Sequence, residues 1–254
     1  MSDVQAAREG LPPALPRSCD GWAFFLDIDG TLIDIAATPD AVVVPPGLPP
    51  LLAAVCKGSG GALALVTGRD MATVDGLFAP FRLPVGAVHG ALIRGTAGEV
   101  SGDAPHPGLA EVRRLLEPFA AENPAALIED KGTAVAVHFR TDPCLESRAR
   151  ETVEAAVAAA EPGLTVQPGK MVFEVRPAGA DKGLALRTLM QDDAFLGRRP
   201  VAVGDDLTDE SMFAAALEAG GLALRVGPPP GSGSVAEPVF ATPEDVRRWL
   251  ADLA

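Results

Sequence analysis

Apolar runs and polar breaks alternate along this chain with two different periods. Residues 22–28 are almost wholly apolar up to Asp27 and Asp29, which predicts a strand buried on both faces. The proline pairs Pro45-Pro46 and Pro49-Pro50 frame a helix over 49–57, and 62–66 is a second apolar strand that ends in Thr67-Gly68-Arg69. A helix over 71–77 and a strand over 85–89 follow. Strands alternating with helices predict a doubly wound parallel sheet of the α/β class.

The pattern changes over 106–177. A helix over 107–122 carries Leu109, Val112, Leu115, Leu116 and Phe119 at near-helical spacing. Strands over 126–130 and 133–140 are joined by Lys131-Gly132, and Val135, Val137 and Phe139 alternate on one face. An alanine-rich helix over 146–160 and a second strand pair, 165–167 and 171–176, complete an inserted α+β cap domain. The alternating pattern then resumes, with helices over 181–190, 210–219 and 243–253 and strands over 200–203 and 222–226; the Gly, Pro and Ser run over 227–234 is a loop. The expected organisation is a flexible leader over 1–20, a core made of 21–105 and 178–254, and the cap over 106–177.

Composition narrows the partners. A 254-residue chain with 48% hydrophobic and 22% charged residues can bury a sizeable core. Its net charge of -13 argues against nucleic acid, so an anionic substrate must be drawn in by local Lys and Arg or by a metal. No apolar run reaches membrane-spanning length, and the start lacks the pattern of a signal peptide. Cys19, Cys56 and Cys144 are far apart and suggest neither a zinc site nor a disulfide framework, which fits a reducing cytoplasm.

Three predicted strands end in polar signatures: Asp27-Ile28-Asp29-Gly30-Thr31, Thr67-Gly68-Arg69, and Gly204-Asp205-Asp206 running on to Asp209 and Glu210. In an open parallel sheet the carboxyl ends of strands share one edge, where ligands bind. Asp181-Lys182-Gly183 adds a lysine at a helix start. Residues two apart in a strand face the same way, so Asp27 and Asp29 converge and need a cation or a shared proton. Acids, one lysine, one threonine and glycines suit phosphoryl transfer, and Asp27 and Asp205 offer hard oxygen ligands for Mg2+. Each signature alone has a plainer explanation, such as an acidic turn or a helix cap; four in order at predicted element ends favour a single site.

Together these signatures resemble the haloacid dehalogenase superfamily of aspartate-dependent phosphatases. The resemblance implies Asp27 as nucleophile, Asp29 as general acid and base, Thr67 on the phosphoryl oxygen and Lys182 offsetting charge. It also implies Mg2+ held by Asp27, Asp205 and the backbone carbonyl of Asp29, with Asp206 and Asp209 orienting Lys182 or a metal-bound water.

Within the cap, Glu129-Asp130-Lys131-Gly132, His138-Phe139-Arg140 and Gly169-Lys170 with Glu174 and Arg176 match the E-x-K-G, H-x-R and G-K-x-x-x-E-x-R signatures of trehalose-6-phosphate phosphatases, and Gly204 to Glu210 matches their G-D-D-x-T-D-E. That resemblance implies a small sugar phosphate as substrate, held by Glu129, Lys131, Lys170 and Glu174, with His138, Arg140 and Arg176 in support, and a functional link to trehalose-6-phosphate synthase. Arg69 and His89 stand at the predicted mouth as further contacts. Alternatives are another sugar-phosphate phosphatase or a phosphomutase on the same scaffold, or a non-catalytic regulatory subunit. The intact Asp27, Asp29, Thr67, Lys182 and Asp205 set argues against the last.

Overall fold

A computed structural model describes residues 15–36, 38, 41–102, 104–169, 171–231 and 233–254. Residues 1–14 of the expected leader, and Lys170, lie outside the described residues. Among the described residues, twelve strands fall into two sheets, one of eight strands and one of four.

In the larger sheet, β1 (Trp22–Leu26) lies between β10 (Arg199–Gly204) and β2 (Leu63–Val66), and β11 (Leu222–Val226), β12 (Glu237–Phe240) and β3 (Val85–Ala87) extend it in parallel. Alternate β1 residues enter opposite cores. Phe24 and Leu26 pack with α1 (Leu48–Gly58) and α7 (Pro243–Leu253) through Leu52, Val55, Val246 and Trp249, while Ala23 and Phe25 face Leu186, Phe195, Met212 and Phe213 around α5 (Lys182–Leu189) and α6 (Glu210–Glu218). Burial on both faces is why these strands carry no polar alternation.

Three strands differ from the sequence expectation. β4 (Leu92–Arg94) and β5 (Val100–Gly102) form an antiparallel edge, and β12 closes the opposite edge. All three are short, β5 is exposed throughout, and β12 carries Pro238, so each lacks the apolar run that marks a central strand. The strand expected over 85–89 stops at Ala87. Val88 and His89 take left-handed φ values of 47° and 52° in a turn that carries His89 back over the sheet edge. Along that edge, α2 (Met71–Leu77) is capped by Asp70, whose carboxylate accepts the Thr73 N–H at 2.9 Å.

The smaller sheet runs β6 (Leu127–Asp130), β7 (Val135–His138), β9 (Val172–Pro177), β8 (Leu164–Gly169). One face packs Val135, Val137, Phe173 and Val175 on α3 (Gly108–Glu122) and α4 (Glu146–Ala159). Its register aligns Glu129, Ala136, Glu174 and Gln167 in one row of the opposite face. That polar face meets the carboxyl edge of the large sheet across a cleft. No helix among the described residues is long and apolar enough to cross a membrane.

Candidate active site

The carboxyl ends of β10, β1 and β2 are neighbours, so Asp205, Asp27 and Thr67 meet there. Asp27 is buried and accepts a bond from Lys182 Nζ at 2.7 Å on Oδ1 and from the Thr31 hydroxyl at 3.3 Å on Oδ2. Lys182, at the start of α5, also donates to Asp209 Oδ1 at 2.7 Å. The other Asp209 oxygen accepts the backbone N–H groups of Asp205 at 3.0 Å and Asp206 at 2.9 Å. Both oxygens of Asp209 therefore hold protein donors, which tie Lys182 to the Asp205 loop. Asp206 caps the same short turn through the Leu207 N–H.

Glycine is required at Gly30. Its φ is +82°, and a Cβ there would lie 2.2 Å from Asp205 Oδ2, so any side chain would push Asp205 away from Asp27.

Burial drives the Asp27 carboxyl up from its ordinary value; Lys182 opposes the shift, and Asp209 and Asp205 add to it. Burial alone would lower Lys182, but Asp209 and Asp27 outweigh it and keep the ammonium charged. One lysine facing three carboxylates leaves an excess of negative charge. Oxygens of Asp27, Asp205 and Asp209 lie within 4.8 Å of one another, a hard donor set fit for a divalent cation. Since Asp209 is committed elsewhere, Asp27 and Asp205 are the carboxylates suited to hold it.

Asp29, expected to converge with Asp27 on one cation, is not part of that cluster, because both its oxygens are taken by an arginine. Arg69 grips it through Nε on Oδ2 at 2.7 Å and Nη2 on Oδ1 at 2.8 Å, a bidentate pair. Arg69, expected as a substrate contact, is thus also the clamp on Asp29. Burial would lower its pKa, but the Asp29 contact outweighs that and raises it.

Three side chains from the small sheet and its flank reach across the cleft. Lys131 Nζ donates to the Gly68 carbonyl at 2.8 Å and also bonds Glu174. Glu174 Oε1 lies 3.3 Å from His89 Nε2, and Arg140 bonds the Ala36 carbonyl. His138 and Glu129 pair at 2.7 Å on the same polar face. Burial pushes His89 down to about 4, so it is neutral at pH 7. Burial opposes ionisation of Glu174, yet surrounding positive groups hold its pKa below the ordinary value. With His89 neutral, the bonded Lys131 ammonium is the cation that matters there.

The resulting cleft has a cavity volume of about 180 Å³ and brings Asp27, Asp29, Thr67, Arg69, Lys182, Asp205 and Asp206 together with Glu129, Lys131, His138, Arg140 and Glu174. Arg176 lines a neighbouring cavity instead. Sequence reasoning missed Gln167, although its parity with Glu174 across paired strands was a usable signal. It also missed the wall made by Ile35, Ala36, Thr38 and Val42. Arg225, an arginine inside the apolar run of β11, went unremarked too. It is buried, bonds the Asp205 carbonyl, and contacts Glu210 at 3.3 Å.

A parallel sheet ending in this aspartate, threonine, lysine and aspartate constellation, with an α+β unit across the cleft, defines a phosphoric monoester hydrolase of the haloacid dehalogenase superfamily. Within that class the chain belongs to the trehalose-phosphatase family, whose profile matches residues 25–241. It is 46% identical over 224 residues to a probable trehalose-phosphate phosphatase of Sinorhizobium fredii, covering 88% of this chain and 84% of that one. It is 39% identical over 213 residues to the trehalose-6-phosphate phosphatase of Escherichia coli, covering 84% and 80%. Among solved structures, the C-terminal domain of C. albicans trehalose-6-phosphate phosphatase shares the fold at a TM-score of 0.79 and 23% identity, over 97% of this chain and 100% of that one.

Proposed function

We propose that the protein hydrolyses trehalose 6-phosphate to trehalose and inorganic phosphate through a phosphoaspartate on Asp27, with Mg2+ as its metal. The observation that carries this is the opposition, across one cleft, of Asp27 and a polar row suited to sugar hydroxyls, Glu129, Glu174 and Gln167, with Lys131 beside it. Asp27 and Asp205, with the Asp29 carbonyl, would hold Mg2+, which supplies charge neutralisation for the phosphoryl oxygens.

An Asp27 oxygen attacks phosphorus while the bond to the sugar oxygen breaks, and Asp29 delivers a proton to the departing alkoxide. Water then gives its proton to Asp29 and attacks phosphorus, which releases phosphate and restores Asp27. Each Asp29 oxygen keeps a lone pair beyond the one given to Arg69, so the clamp fixes its orientation without blocking the proton. Lys182 and the Thr67 hydroxyl stabilise charge on the transferring group. Glu129, Lys131, His138, Arg140 and Glu174 hold the disaccharide, and Asp206 and Asp209 support the Asp205 loop and Lys182.

A trehalose-6-phosphate synthase is the functional partner that would supply this substrate. A reducing cytoplasm is the compartment we favour, since Cys19, Cys56 and Cys144 are all free thiols. The test is phosphate release from trehalose 6-phosphate, glucose 6-phosphate and mannose phosphates, with Mg2+ and with EDTA. Trehalose 6-phosphate is expected to be preferred, with EDTA and Asp27→Asn each abolishing turnover. Preference for a monosaccharide phosphate would overturn the substrate, and turnover by Asp27→Asn would overturn the nucleophile.

A further inference from the structure

A second cavity of about 150 Å³ adjoins the catalytic cleft and shares His89, Gln167, Lys182 and Thr208 with it. Beyond that common wall lie Arg176, Asp181 and Ser211. Arg176 is only 7% exposed. Its Nη2 donates to Gln167 Oε1 at 2.8 Å, while Nε and Nη1 have no partner among the described residues, and neither has His89 Nδ1.

A guanidinium stays charged at any working pH, and burying one with unused N–H groups is costly unless a ligand takes them. The nearby acids do not take them. Glu174 gives Oε2 to Lys131 while its Oε1 bonds no donor among the described residues, Arg176 included, and the Asp181 carboxylate accepts the Leu184 N–H at 2.7 Å. A planar fork of N–H donors matches the oxygens of a tetrahedral oxyanion.

We propose that this cavity is a second anion site, anchored by Arg176, which takes inorganic phosphate. Its adjacency to Asp27 makes it the holding place for phosphate leaving the catalytic cleft, a step that rests on the hydrolytic function proposed above. Asp181 gives the site selectivity. Phosphate keeps a P–OH at neutral pH that donates to a carboxylate, whereas sulfate has none and meets only repulsion.

The test is calorimetric titration of the Mg2+-loaded protein with inorganic phosphate. Two phosphates per chain are expected, with the second site weakened roughly 10-fold or more by Arg176→Gln, as loss of hydrogen bonds to a charged group predicts. Sulfate should compete poorly for that second site. Arg176→Lys, which keeps the charge but not the fork, decides the matter if the glutamine variant misfolds, and it too should weaken the second site. A single phosphate per chain in the wild type, or a second site untouched by a folded Arg176 variant, would overturn the proposal. Because this readout needs no sugar phosphate, two bound phosphates without trehalose 6-phosphate hydrolysis would refute the proposed function and leave the anion site standing.

Discussion

His89→Asn should remove a specific part of the protein's acid sensitivity. His89 sits in a left-handed turn at φ 52° and ψ 33°, a conformation that asparagine tolerates, so the substitution spares the backbone. Its side chain is 12% exposed, and it faces Glu174, Lys131, Lys182 and Arg176. Burial lowers its pKa from 6.5 to about 4, so between those values the unfolded chain binds a proton that the folded protein refuses. Stability from this residue is therefore whole above about pH 6.5 and is lost as pH falls toward 4. At about 1.36 kcal/mol per pH unit the full loss is about 3 kcal/mol, of which about 2 kcal/mol is gone by pH 5. Urea unfolding followed by circular dichroism at pH 7.5 and pH 5, for both proteins, measures it. The wild type should lose about 2 kcal/mol more than the variant over that interval. Equal losses would refute the assignment, since the carboxylates that titrate there are common to both proteins.

Lys182→Met leaves Asp27 and Asp209 buried without their cation and should cost about 3–5 kcal/mol of stability in urea unfolding, together with turnover. Gly30→Ala, whose Cβ would fall 2.2 Å from Asp205 Oδ2, should keep the fold by circular dichroism but raise the Mg2+ concentration needed for half-maximal activity, or abolish activity. Arg225→Met frees the Asp205 carbonyl and should weaken Mg2+ activation roughly 10- to 100-fold, as losses behind a metal site do; an unchanged activation curve would show that Arg225 serves the fold alone.

The core of the site was legible because its residues stand at the ends of strands buried on both faces. Asp27, Thr67 and Asp205 each follow an apolar run, and parallel pairing of β10, β1 and β2 must bring those ends to one edge. The edge strands were not legible, because β4, β5 and β12 are too short or too exposed to carry a period. Bonds that span long separations left no local mark either. Arg140 meets Ala36 across 104 positions, and Lys131 meets Gly68 across 63. Arg69 read as a mouth residue because its sequence neighbours say nothing of Asp29, 40 positions away.

The cap strand β9 combines both cases. Its two-residue period sends Phe173 and Val175 into the helix-packed core, and the opposite parity brings Glu174 to the catalytic cleft and Arg176 to its neighbour. The G-K-x-x-x-E-x-R signature grouped Glu174 with Arg176 around the substrate, Arg176 in support. What separated them is one strand repeat of roughly 7 Å, enough to carry the second side chain past the wall of His89, Gln167, Lys182 and Thr208 between the two cavities. That wall is assembled from four separate parts of the chain. Only the folded arrangement places one member of the pair at the catalytic cleft and the other at the neighbouring cavity.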